Sequence, residues 1–206
     1  MKFTFQDKKK SREETIILPY KKSFGKSNIQ ENKQYWTLCA ECINKETKTI
    51  LEESELHQIL SSGFIQSPEN FHGVDTNEEI IKENKKLNIG NFYHGDFYGV
   101  MSRTKNYNPA VVNLDLLRTF QTEKENIKKI FKLLSPYKEV LFNVNVLFEN
   151  HNVKYREPEE IMDFLKNDID IKNGFLKHGW RNDVNIYPYK GLGKVTRMVS
   201  VTLFKK

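Results

Sequence analysis

The stretch NFHGVDTNEEI, Asn70 to Ile80, runs through β-forming residues to a single carboxylate, Asp75, and turns at once into a helix-like segment. In open α/β sheets ligands lie outside the carboxyl ends of the strands, so a carboxylate on that edge is placed to hold a small polar ligand. Two later segments repeat the arrangement. YHGDF sets Asp96 after a short β-forming run, 21 residues beyond Asp75, and VVNLDLL sets Asn113 and Asp115 in an almost continuous apolar one. Groups of this kind can orient or deprotonate a reacting atom. Each also has a plain structural use. Asp75 can cap the helix after it, Asp96 can close a turn, and Asn113 and Asp115 can end a strand.

Both cysteines fall in one window, CAEC, Cys39 to Cys42. The spacing suits a redox pair or half a zinc site. A zinc site needs two more ligands, and His57, His72, His94, His151 and His178 show no paired spacing. A redox pair needs a helix directly after the strand, and INKETK reads as loop. The reading preferred is a buried strand residue, Cys39, and a loop-edge residue, Cys42, with neither metal nor disulfide.

Composition sets the outer limits. The chain has 206 residues, 38% hydrophobic and 12% aromatic, enough for one domain with a substantial core or one domain and an arm. No apolar run approaches the roughly 18 residues of a membrane span. The start, MKFTFQDKKKSREE, is charged where a secretion signal is apolar, so a cytoplasmic setting is expected. A net charge of +6 favours acidic partners, nucleic acid being the commonest.

The elements that must position these groups follow from periodicity. Strands are expected at 35–41, 70–75, 91–97, 109–117 and 138–148, with a closing hairpin formed by 180–189 and 194–206 around KGLG. Helices are expected at 49–63, 76–88, 122–135 and 157–168. Residues 1–34 read as an N-terminal basic arm or short helix, and 35–206 as the domain. The order, β-α-β-α-β-β-α-β-α-β-β, predicts an α/β fold: a Rossmann-like, mostly parallel sheet with helices on both faces and a C-terminal antiparallel hairpin.

From about Tyr35 onward, FHGVDTN, YHGDF, VVNLDLL and the closing hairpin together resemble the class I S-adenosylmethionine-dependent methyltransferases. The resemblance implies S-adenosylmethionine as cofactor. It implies that Asp75 accepts the ribose hydroxyls, that Asp96 lies near the adenine amine with Phe97 covering the ring, and that Asn113 or Asp115 faces the methyl acceptor. It places Cys39, Ala40 and Glu41 at the turn after strand one, where the family carries a glycine-rich motif. This chain has no glycine between Gly25 and Gly63, and strand four lacks the proline and aromatic residues of enzymes that methylate DNA amines.

Arg103, Lys105, Arg118, Arg181 and Arg197 are interspersed with Tyr93, Tyr98, Tyr107, Tyr187 and Tyr189, a mixture suited to single strands or flipped bases, or to a solvated sheet edge. Two functions stay open: a methyltransferase, with nucleic acid as one candidate substrate, and an inactive methyltransferase fold that binds nucleic acid or protein.

Overall fold

The computed structural model of the protein describes residues 5–147, 181–190 and 197–205. The seven strands are β1 (Gln34–Leu38), β2 (Phe71–Asp75), β3 (Asn91–His94), β4 (Pro109–Thr119), β5 (Val140–Leu147), β6 (Arg181–Lys190) and β7 (Arg197–Lys205). They form one sheet in the order β3-β2-β1-β4-β5-β7-β6. The strands from β3 to β5 pair in parallel. β7 is antiparallel to β5 on one side and to β6 on the other. Because β1 pairs with both β2 and β4, the chain changes direction across the sheet there, and in open α/β sheets ligands bind outside the carboxyl ends of the strands at such a point.

The period of two in the strands divides the core. Trp36, Val74, Val112, Leu114, Phe142 and Val144 face one side, where α5 (Phe97–Arg103) and α6 (Phe120–Leu134) cover them. Tyr35, Phe71, Val111 and Leu141 face the other, under Leu56 and Ile59 of α3 (Glu55–Ser61) and Ile81 of α4 (Glu78–Lys85). The N-terminal residues join this second face as α1 (Phe5–Arg12), a π-helical turn (Glu13–Ile17) and α2 (Leu18–Phe24). Ile16, Ile17 and Tyr20 are fully buried in it. Gly25, at φ 68°, ends α2 in the left-handed conformation that glycine adopts without a Cβ penalty.

The structure departs from the expected elements in three places. A helix, α5, follows β3, where the sequence predicts a direct passage into strand four. Its seven residues, FYGVMSR, contain a glycine and are too few to show a helical period. β1 stops at Leu38 and α3 starts only at Glu55. Between them lies a hairpin closed by the Ile43–Ile50 bridge, whose turn is held by Asn44 Oδ1 accepting from the Glu46 and Thr47 N–H groups. β3 ends at His94 rather than Phe97, because Asp96 already caps α5. The expected helix over 157–168 and the KGLG turn lie outside the described residues. Among the described residues, no helix is long and apolar enough to cross a membrane.

On the α5/α6 face, His72 packs against two aromatic rings that also stack on each other, their centroids 5.5 Å apart. Its ring stacks on Trp36 with centroids 4.5 Å apart and on Tyr93 at 5.9 Å. Nδ1 is 3.1 Å from the Tyr93 hydroxyl. Burial pushes the imidazole pKa down from 6.5 to about 4. The unfolded chain therefore takes up this proton before the folded one, and stability must fall as pH drops from 6.5 toward 4. The full effect, reached below pH 4, is about 3 kcal/mol. Urea unfolding of wild type and His72→Phe between these pH values should show a wild-type loss in excess of the variant's by that amount. Parallel pH profiles would disprove the assignment.

Candidate functional site

Asp75 is the last residue of β2, and its carbonyl accepts the Gly95 N–H at 3.0 Å, which ties the edge of β2 to the turn after β3. His94 Nε2, 3.1 Å from the Thr76 carbonyl, adds a second tie. The Asp75 carboxylate does not cap α4. That role belongs to Asn77, whose Oδ1 accepts from the Glu79 and Ile80 N–H groups. Asp75 instead accepts the Asn77 N–H at 2.7 Å through Oδ1, closing an Asx turn, and is half-buried.

Asp96 is exposed and is the N-cap of α5, accepting the Gly99 N–H at 2.7 Å. Phe97 is buried 6.5 Å from Trp36 in an edge-on contact, so its ring packs in the core. Tyr107, grouped by sequence with the basic residues, is likewise a core residue, whereas Tyr98 of the same helix as Arg103 is exposed.

At the turn after β1, Cys39 and Cys42 point inward and Ala40 outward. The two cysteines are 4% and 2% exposed. Cys39 packs against Gly73 of β2, where a Cβ would stand 2.7 Å from its sulfur. Ala40 is exposed, and Glu41 is half-buried and pairs with Lys45 at 2.7 Å. The backbone here is gripped by Asn84 of α4, which accepts the Cys42 N–H at 2.7 Å and donates to the Ala40 carbonyl at 3.0 Å.

The strand-four pair divides. Asn113 lies level with Thr37 of β1, two residues short of Asp115 and inside the sheet. Its Nδ2 donates to Glu55 Oε1 at 2.8 Å, and its Oδ1 accepts from Asn143 at 2.8 Å. Asp115 lies nearer the carboxyl end of β4, half-buried, with Lys8 of α1 at 3.4 Å. Glu55 is the centre of a buried polar seam. The Tyr35 hydroxyl donates to Oε1 at 2.5 Å and Arg12 lies 3.3 Å from Oε2. Asn143 Oδ1 in turn lies 2.9 Å from the hydroxyls of Ser200 and Thr202. Burial, and after it the Glu55 carboxylate, pushes the Tyr35 phenol well above its ordinary pKa.

Sequence reasoning misses Glu55, Arg12, Asn84 and Asn143. The available signal for Asn143 is an amide, one of two in the apolar run VLFNVNVLF, which demands an internal partner. Glu55, directly after the N-cap Ser54, reads as an ordinary first-turn acid. Asn84 reads as a polar position on a solvated helix.

Among the described residues, no group of three or more His, Cys, Asp or Glu is placed to hold a metal ion. Both cysteines are free thiols. Burial raises the Cys42 pKa to about 12 and the Cys39 pKa further still. Thiols this protonated are poor nucleophiles and poor zinc ligands. In a thiol titration with an aromatic disulfide reagent at about pH 8, both should stay silent in the folded protein and react together on unfolding in urea. Prompt reaction of either in the native state, or stoichiometric zinc in the pure protein, would contradict this placement.

No family model matches the chain, and no curated protein matches it in sequence. Solved structures do match its fold. A candidate RNA methyltransferase from Pyrococcus horikoshii superposes with a TM-score of 0.52 at 13% identity, covering 95% of this chain and 84% of that one. The methyltransferase domain of a bacterial Hen1 protein gives a TM-score of 0.52 at 10% identity, covering 97% and 98%. A NADB-Rossmann superfamily protein from Streptococcus agalactiae gives 0.48 at 7% identity, covering 86% of this chain. The chain spans 53% and 64% of the length of some of these matches, the latter being the Streptococcus protein. The sheet order and these superpositions show that the chain has the Rossmann-like fold of the class I S-adenosylmethionine-dependent methyltransferases.

Proposed function

We propose that the protein is an S-adenosylmethionine-dependent methyltransferase that acts on nucleic acid. The observation that carries the reading is the placement of three carboxylates beside the β1 switch point: Asp75 ends β2, Asp96 follows β3, and Asp115 lies on β4 beyond its pairing with β1. The residues at the turn after β1 fit the cofactor without a glycine-rich motif. Both cysteine side chains are turned into the core, so Ala40 and the backbone around it form the outer surface there.

In this reading Asp75 holds the ribose hydroxyls, the Ala40–Glu41 backbone meets the methionine end and exposed Asp96 meets the adenine amine. Phe97 stiffens the wall behind it, from the core. The bound cofactor supplies an electrophilic methyl group. Asp115 orients or deprotonates the acceptor, and Asn113 holds its strand in place through Glu55 and Asn143. Nucleic acid as acceptor is supported by the net charge of +6 and by exposed Tyr98 on the same helix as Arg103. The likeness of the fold to the candidate RNA methyltransferase from Pyrococcus horikoshii points the same way. A second reading, an inactive binding module of the same fold, draws on the missing glycine motif.

Calorimetry and melting curves with S-adenosylmethionine separate the two. Asp75→Ala removes hydrogen bonds to a charged acceptor worth about 1.5–3 kcal/mol, at least tenfold in affinity. The lost Asx turn costs the fold only about 1 kcal/mol. Wild-type protein that binds and transfers labelled methyl groups to RNA or DNA, with Asp75→Ala folded and weakened, is the expected outcome. Wild type that gives neither heat nor a melting shift at millimolar cofactor leaves only the binding module.

A further inference from the structure

Resting on that reading, we infer that Asn84 is the positioning residue of the cofactor site, its carboxamide setting the turn after β1 that glycines would otherwise set. Asn84 has no exposed surface, although its helix, α4, is mostly solvated. Its Oδ1 accepts the Cys42 N–H at 2.7 Å, and its Nδ2 donates to the Ala40 carbonyl at 3.0 Å. The same Nδ2 lies 3.9 Å from the Cys39 sulfur. One side chain from a different element therefore takes the backbone groups on both sides of Glu41.

The rest of the turn is fixed from its two ends. The Cys39 N–H donates to the Val74 carbonyl at 2.9 Å, prolonging the β1–β2 pairing by one bond. The Cys42 carbonyl accepts from Leu51 at 2.7 Å, at the base of the hairpin. Between these anchors Asn84 decides which way the peptides face. With the Ala40 carbonyl and Cys42 N–H drawn toward α4, the cysteine side chains follow into the core and Ala40 is left outside. A primary amide does both jobs at any pH. A carboxylate accepts but does not donate, and an aliphatic side chain does neither. The α4 helix also begins beside Asp75, through the Asn77 cap and the Asx turn. One helix thus sets two places where the cofactor would be held.

The test uses the full chain as wild type, Asn84→Ala and Asn84→Asp. Each is titrated with S-adenosylmethionine well below its own melting midpoint, so that only folded protein is measured. Asn84→Ala should weaken binding by about tenfold or more, the worth of one or two hydrogen bonds. Asn84→Asp should be equally weak near pH 8, where the carboxylate repels the Ala40 carbonyl. It should recover toward about pH 5, as the buried acid takes a proton and can donate again. Wild type should show no such recovery. A residue that only stabilised the core would lower the melting midpoint and leave the affinity of the folded protein, and its pH profile, unchanged. Wild type that binds while both folded variants bind as well overturns the inference alone. Wild type that does not bind overturns the reading of the site and the inference with it.

Discussion

The buried carboxylate of Glu55 is the constraint to which the second face of the sheet answers. An ionised acid at 8% exposure is costly unless every lone pair is used and a countercharge is near. Tyr35 of β1, Asn113 of β4 and Arg12 of α1 meet that demand. The polar chain continues outward: Asn143 of β5 gives an N–H to Asn113, and the Ser200 and Thr202 hydroxyls of β7 lie 2.9 Å from Asn143 Oδ1. The Asn113 and Asn143 amides thus both turn an N–H toward the charge. Pairing errors between strands would leave a charge or an amide unmet inside the core. The seam therefore acts on register and on the docking of the N-terminal helices more than on net stability.

The two faces of the sheet solve different problems. The α5/α6 face is almost wholly apolar, with Trp36, Phe131, Phe142 and Leu134 packed at zero to a few per cent exposure, and contributes mainly hydrophobic burial. His72 on this face is kept neutral by burial against Trp36 and Tyr93. The opposite face carries the polar seam and the N-terminal helices, and Thr202 donates to the Thr15 carbonyl inside the π-helical turn. A π turn leaves backbone carbonyls displaced from the regular ladder, and here one of them is satisfied by the sheet. Lys8 at Asp115 and Arg12 at Glu55 show the same logic. Cations of α1 are met by acids of the sheet face and of α3.

What the sequence makes legible is whatever local rules decide. The strand–helix alternation, the acidic end of β2 and the closing antiparallel pair follow from periodicity, turn chemistry and short-range order. Asp75 is placed correctly at a strand end because FHGV is β-forming and TNEE caps and starts a helix. The misses come from short segments that show no period and from a partner distant in sequence. Phe97 reads as strand because aromatic residues favour strands, yet Asp96 caps a helix through Gly99, where a Cβ would stand 2.4 Å from the carboxylate. The amide of Asn113 is drawn inward by Glu55, 58 positions away. The hairpin between Cys39 and Ser54 is invisible to periodicity because its turn is held by side-chain bonds from Asn44.

The missing glycine motif illustrates how a local rule can be met non-locally. Glycines after β1 serve to remove side chains from a surface the ligand must touch. This chain keeps side chains there but makes them small and turns them the other way, which requires room behind the turn. That room is on β2: Gly73 faces Cys39, and any Cβ at that position would overlap the sulfur and its Cβ, at 2.7 and 2.9 Å. A side chain at 73 would push Cys39 back toward the edge and reopen the conflict. The glycine that gives the turn after β1 its room therefore stands one strand away, in FHGVD, two residues before Asp75.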